Sequence, residues 1–159
     1  MRKLLIFGNS GSGKSTLAKK LAEQEGIAHL DLDVLAWQDT FPPQRNSLSD
    51  SLKKIQKFTR GKEGWVIEGC YSDLLELAAI EADEVIFLNL PIAACIENAK
   101  NRPWEPHKYP SKEEQDENLD MLIDWISDYD DREDLFSRKS HEAFYENFPG
   151  EKTMITENI

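Results

Sequence analysis

Apolar residues along the chain fall into short unbroken runs, separated by stretches in which they return every three or four positions. The first run, Lys3 to Phe7 (KLLIF), is followed at once by glycine and reads as a buried strand. Leu17, Ala18, Leu21 and Ala22 then recur at helical spacing, and Gly26 is placed to cap that helix at its C-terminus. Ile27 to Leu30 forms a second short strand that ends in Asp31-Leu32-Asp33. Trp37 to Asn46, with Pro42 and Pro43, reads as loop. Ser47, with Asp50 three residues on, opens a helix carried by Leu48, Leu52 and Ile55.

The second half repeats the alternation. Gly61 to Gly64 is a turn, Trp65-Val-Ile a third strand closed by Glu68-Gly69, and Val85 to Leu88 a fourth. Pro91 marks the start of a helix whose apolar face is Ile92, Cys95, Ile96 and Ala99, and Pro103 obliges it to stop near Asn101. Trp104 to Pro110 is an irregular excursion. Ser111 with Glu114 opens one long helix through Leu119, Leu122, Ile123 and Ile126. A further helix covers Ser137 to Asn147, and Thr153 to Thr156 is the last strand. Strands alternating with helices predict an α/β domain over residues 1–159, with a parallel sheet covered on both faces.

Composition narrows the partners. The chain has 159 residues, enough for one good core, with 40% hydrophobic and 31% charged. A formal net charge of -11 repels nucleic-acid phosphates and anionic lipid, so neither is expected as a partner. Cys70 and Cys95 show no metal spacing and suit a reducing compartment. The apolar run Leu4 to Phe7 is too short for a signal peptide or a membrane span, so a cytoplasmic protein, monomeric by default, is expected.

The glycine after the first strand begins the strongest motif. Gly8-Asn9-Ser10-Gly11-Ser12-Gly13-Lys14-Ser15 matches G-x-x-x-x-G-K-[ST] at every fixed position, and Thr16 continues into the helix. Glycines let backbone N–H groups turn inward as an anion nest, and the helix dipole adds positive potential at the same place. Lys14 is expected to reach the β- and γ-phosphates of a nucleotide, and the Ser15 hydroxyl to ligate Mg²⁺. A dinucleotide fingerprint fails, because Thr16 stands where its third glycine belongs.

Three acidic residues end the neighbouring strands. Asp31 and Asp33, two apart on an extended segment, would both face the cleft; one would hold a Mg²⁺-bound water while the other orients or deprotonates an acceptor hydroxyl. The alternative is that either one caps the following helix. Glu68 closes the strand WVIE at the Walker-B position, where a carboxylate holds Mg²⁺ through water.

With these residues the chain resembles the adenylate-kinase-like P-loop kinases, and among them small bacterial shikimate-kinase-like or "topology modulation" proteins. GNSGSGKSTLAKKLA, HLDLDVLAW and GWVIEGCYSDLL carry the resemblance. It implies a three-layer P-loop fold with five parallel strands in the order 2-3-1-4-5. It also implies an acceptor-binding lid over residues 37–60 and an ATP lid over residues 101–113. Asp31-x-Asp33 looks like the D-x-D of shikimate kinases, and Arg132 with Phe136 is similar to their late-helix arginine and aromatic. On that likeness Arg132 would pair with an anionic group of the acceptor, and Arg102 would pack on adenine or clamp phosphate. The chain departs from both parent patterns after Glu68. Only Gly69 stands where shikimate kinases have a glycine triplet, and no D-G-F-P-R of nucleoside monophosphate kinases occurs.

The expected activity is transfer of the γ-phosphoryl group of Mg·ATP to a small metabolite. Lys14, Asp33, Arg102 and Arg132 would be catalytic, Trp37 and Tyr71 would wall the acceptor pocket, and Ser15, Asp31 and Glu68 would serve the metal. The alternative is a P-loop ATPase or nucleotide-dependent regulator with no small acceptor. The absence of N-K-x-D and of a D-x-x-G after the third strand argues against a GTPase. His29, His107 and His141 show no ligand spacing and are assigned to packing or surface, and Cys70 has no readable base beside it.

Overall fold

In the computed structural model, which describes residues 1–159, the apolar runs form the parallel sheet that their patterning predicts. The strands are β1 (Lys3–Gly8), β2 (Ala28–Asp31), β3 (Trp65–Gly69), β4 (Glu84–Leu88) and β5 (Glu151–Ile155), ordered β2-β3-β1-β4-β5. The helices are α1 (Lys14–Glu25), α2 (Asp33–Ala36), α3 (Leu48–Thr59), α4 (Ser72–Ala79), α5 (Ile92–Lys100), α6 (Lys112–Glu117), α7 (Leu119–Ser127) and α8 (Arg138–Asn147). A short 3-10 turn at Asp128–Asp130 follows α7.

β1 lies at the centre, which explains why KLLIF is apolar throughout: its residues alternate between two cores. Leu5 and Phe7 face one core, with Ile55 of α3, Leu74, Leu75 and Ala78 of α4, and Phe144 of α8. Leu4 and Ile6 face the other, with Ala18 of α1, Cys95 and Ala99 of α5, and Ile126 of α7. The molecule is therefore three-layered, with helices on both sheet faces. The β5 edge carries Glu151 and Lys152, charges that discourage pairing with a further strand. Both expected serine caps form, Ser47 accepting from the Asp50 N–H and Ser111 from Glu114, and Ser137 caps α8 in the same way by accepting from Ser140.

Three features differ from the sequence reading. Residues 72–79 form α4, an element that reading left out. Parallel strands such as β3 and β4 need a crossover connection, and Leu74, Leu75 and Ala78 supply its buried face. The single long helix after Ser111 is two, broken at Asn118, whose side chain donates to the Tyr109 hydroxyl at 2.8 Å. Asp33 is not on an extended segment. β2 ends at Asp31, Leu32 has helical backbone angles, and Asp33 starts α2.

Candidate functional site

The C-terminal ends of β1, β2 and β3 open onto one cleft of about 860 Å³. Its floor is the loop between β1 and α1. Gly11 has φ 78° and Gly13 φ 93°, a left-handed region that favours glycine. A Cβ on Gly11 would also run into the Cys95 carbonyl oxygen. The loop is braced from outside: Asn98 donates to the Gly11 carbonyl at 2.8 Å, and buried Asn9 donates to the Ile126 carbonyl at 3.2 Å. Lys14 Nζ donates to the Asn9 carbonyl at 2.8 Å, which holds the ammonium along the loop. Ser10 to Thr16 line the cleft, and the buried Ser12 hydroxyl has no protein partner.

Strand register sets the acidic residues beside this loop. Asp31 is paired with Glu68 across β2 and β3, and Ile6 with Glu68 across β1 and β3. Glu68 is 2% exposed; its Oε2 accepts from the Ser15 hydroxyl at 2.6 Å and lies 3.1 Å from His29 Nε2. Asp31 Oδ1 accepts from the Asp33 N–H at 2.9 Å, so Asp31 caps the first turn of α2 while lining the cleft. Burial, then the charges of Glu68 and Asp33, push the Asp31 carboxyl up to about 6.

Asp33 reaches the cleft from the start of α2. Its Oδ1 accepts from the Tyr71 hydroxyl at 2.5 Å, and Tyr71 accepts from Trp37 Nε1 at 3.0 Å. Burial, then Asp33, raises the Tyr71 hydroxyl well above the ordinary tyrosine value, so it stays a donor. Tyr71 lines the cleft; Trp37 does not, and stands behind it as a second layer. Arg45 completes this corner, paired with Asp73 at 3.1 Å and 4.9 Å from the Tyr71 ring centre.

Residues 101–113 cross the cleft from the other side. Arg102 lines it and pairs with Glu105 at 3.2 Å. Lys108 Nζ lies 3.5 Å from Asp33, 3.9 Å from Asp31 and 3.7 Å from Glu105. Burial opposes its charge, but those three carboxylates raise it above the ordinary lysine value. Arg132 is not brought into the cleft. Its guanidinium sits 3.6 Å from the Trp125 ring centre and donates to the Trp125 carbonyl at 2.8 Å, and Trp125 itself is the lining residue. Arg138 is spent on Asp130, Asn89 and Leu90.

The sequence reading missed several residues here. Glu105 sits in a proline-rich excursion with no periodicity to point at it; Lys108, in the same excursion, reads from sequence only as one of several candidate lid cations. Asn98 and Trp125 lie on helices where they read as ordinary surface or core positions. His141 is fully buried behind the site, bonded to the Tyr129 hydroxyl at 2.7 Å and to the Cys70 carbonyl at 2.8 Å. Burial lowers it to about 4, so it is neutral: Nε2–H donates to Cys70, and Nδ1 accepts from Tyr129. Burial pushes the Cys70 thiol up to about 12, which keeps it protonated beside the cleft.

A family model described as an AAA domain matches residues 4–121. The chain belongs to that family. As an AAA domain protein it is a nucleotide-binding P-loop protein of kinase-like fold, and the matched span holds the loop, Asp31, Asp33, Glu68 and Lys108. The uncharacterized protein YqaC of Bacillus subtilis (strain 168) is 29% identical over 143 residues, 86% of this chain and 78% of that protein. Among solved structures, a shikimate kinase from Acinetobacter baumannii in complex with shikimate superposes with TM-score 0.53 and 15% identity, over 99% of this chain and 86% of that one. A sugar kinase from Janibacter sp. HTCC2649 gives TM-score 0.53 and 11% identity, over 98% and 85%. At these identities the likeness is one of fold.

Proposed function

We propose that this protein is a small-molecule kinase that transfers the γ-phosphoryl group of Mg·ATP to a metabolite hydroxyl. The observation that carries the reading is the meeting of a complete phosphate loop with Ser15–Glu68 on one side and Asp33–Lys108 on the other, all in one cleft. The chain's own residues fit the donor. The Gly11 and Gly13 backbone and the unpartnered Ser12 hydroxyl suit phosphate oxygens, with Gly8 to Thr16 as the binding segment. Mg²⁺ would supply charge neutralisation at the phosphates, held by Ser15 directly and by Glu68 and Asp31 through water. No group of three His, Cys, Asp or Glu side chains is placed to hold a metal alone, which suits a cation that arrives with the nucleotide.

Lys14 would leave the Asn9 carbonyl for the phosphates, joined by Arg102. Asp33, held by Tyr71, would orient the acceptor hydroxyl and take up its proton. Residues 1–159 would work as one domain, with 37–60 covering the acceptor and 101–113 closing over ATP. The structural likeness to proteins described as shikimate and sugar kinases supports a small hydroxylated acceptor. Arg132 is given no catalytic part, since its charge is engaged with Trp125. No helix is long and apolar enough to cross a membrane, and both cysteines are free, in keeping with work in the reducing cytoplasm.

Lys14→Ala should abolish transfer from γ-labelled ATP while leaving the protein folded. Full activity in that variant would sink the assignment. A second reading, a P-loop ATPase, is favoured by the loop after Glu68, where Cys70 and Tyr71 replace both kinase patterns. It predicts labelled free phosphate and no labelled metabolite.

A further inference from the structure

The acceptor end of the cleft has its own charge pattern, and this inference rests on the kinase reading above. Six arginines occur in the chain, and none is free to meet an anionic acceptor there. Arg2 pairs with Glu25 and Glu84 at the opposite end of the sheet, and Arg60, just past α3, is not among the residues lining the cleft. Arg45 is bound to Asp73 and Arg138 to Asp130 and Asn89, while Arg102, paired with Glu105, is the arginine assigned above to the ATP phosphates. Arg45 and Arg132 keep buried N–H groups without hydrogen-bond partners, but their guanidiniums lie over the Tyr71 and Trp125 rings, at 4.9 and 3.6 Å. Lys14, Lys19 and Lys20 all belong to α1, the helix that follows the phosphate loop.

What the acceptor end does present is different. Asp33 offers carboxylate oxygens, with Asp31 and Glu68, the carboxylates assigned above to the metal's water, beside it; Lys108 supplies the one ammonium already lodged against the two aspartates, and Tyr71 and Trp125 give aromatic walls. An anionic acceptor would face these carboxylates with only Lys108 to meet its charge, an ammonium already shared among Asp31, Asp33 and Glu105. An ammonium-bearing acceptor would compete with Lys108 for the place it holds. Hydroxyl groups meet neither obstacle: they donate to carboxylates, accept from Lys108, and leave a C–H face for the rings.

We propose that the acceptor is a small uncharged polyol, taken between the Asp33–Lys108 pair and the Tyr71 and Trp125 rings. The balanced step moves the γ-phosphoryl group from ATP to one polyol hydroxyl, breaking the γ-phosphorus–oxygen bond to the leaving ADP. The hydroxyl proton passes to Asp33.

The test separates cell metabolites by ion exchange into anion-retained, cation-retained and unretained pools. Each pool is incubated with the intact protein, Mg²⁺ and γ-labelled ATP, and labelled products are resolved. The expected result is a labelled compound from the unretained pool alone. Label on a compound from the anion-retained pool, alone or alongside, overturns the inference while upholding the kinase; so does label from the cation-retained pool. Label in no metabolite removes the kinase reading itself, and this inference with it. Lys108→Gln should raise KM for the unretained acceptor at least tenfold, and raise it by more than it raises KM for ATP. An unchanged KM for that acceptor would show that Lys108 does not touch it.

Discussion

Gly11 is the residue at which backbone geometry and function meet most tightly. Its left-handed φ and the Cys95 carbonyl facing it leave no room for a side chain. Gly11→Ala should cost about 1–3 kcal/mol of stability and weaken nucleotide binding at least tenfold, read by thermal unfolding and nucleotide titration. Tyr71→Phe tests the relay. It removes the donor to Asp33 and leaves Trp37 Nε1 without its acceptor, at a cost of about 1–2 kcal/mol in urea unfolding. If Asp33 needs that bond to stay aimed, kcat falls while the affinity for ATP is kept. Phosphate-loop residues were readable from the sequence because the motif has fixed spacing within eight positions. Lys108 was readable only as one loose cation among several, since its contact with Asp33 spans 75 residues. Arg132 shows the converse. Its spacing to Phe136 matched a family pattern, but Trp125, a residue no motif singles out, engages its charge.

At the scale of elements, the loop after β3 is held from behind by α8. His141 bonds the Cys70 carbonyl on one side and Tyr129 on the other, in a pocket that also contains Phe7 and Phe87. It is neutral when folded, with its value lowered to about 4 from the 6.5 of the unfolded chain. The unfolded form therefore takes up the proton first as pH falls below about 6.5. Stability contributed by neutral His141 is complete above that pH and is lost progressively down to about pH 4. The loss amounts to as much as about 3 kcal/mol. His141→Gln should be less stable at pH 7, yet show a shallower decline between pH 6.5 and 4 in urea titrations; parallel curves would contradict the account. Strand patterning gave the sheet because both faces are covered, so its runs are uninterrupted. Helix boundaries were harder to read where a side chain overrides periodicity, as Asn118 does by reaching Tyr109 and as Asp31 does by capping α2.

For the whole molecule, a net charge of -11 coexists with an anion-binding loop because the loop uses backbone N–H groups and one helix end. Saturating Mg·ATP, at about a hundred times its Kd, should stabilise the fold by about 2.7 kcal/mol and raise Tm by roughly 5–10 °C. Lys14→Ala should lose most of that rise, as followed by differential scanning. The order β2-β3-β1-β4-β5 was expected from family resemblance, and no local pattern could have supplied it, since order is set by which crossovers pack. The four tryptophans give the fold an optical property. Trp125 lines the cleft, Trp104 donates to the carbonyl of cleft-lining Tyr109, and Trp37 is hydrogen-bonded to Tyr71, while Trp65 is wholly buried in the core. Three emitters thus stand at the cleft or one bond from it, around a constant internal reference. Filling one end or the other should change different parts of a single spectrum, with no label attached.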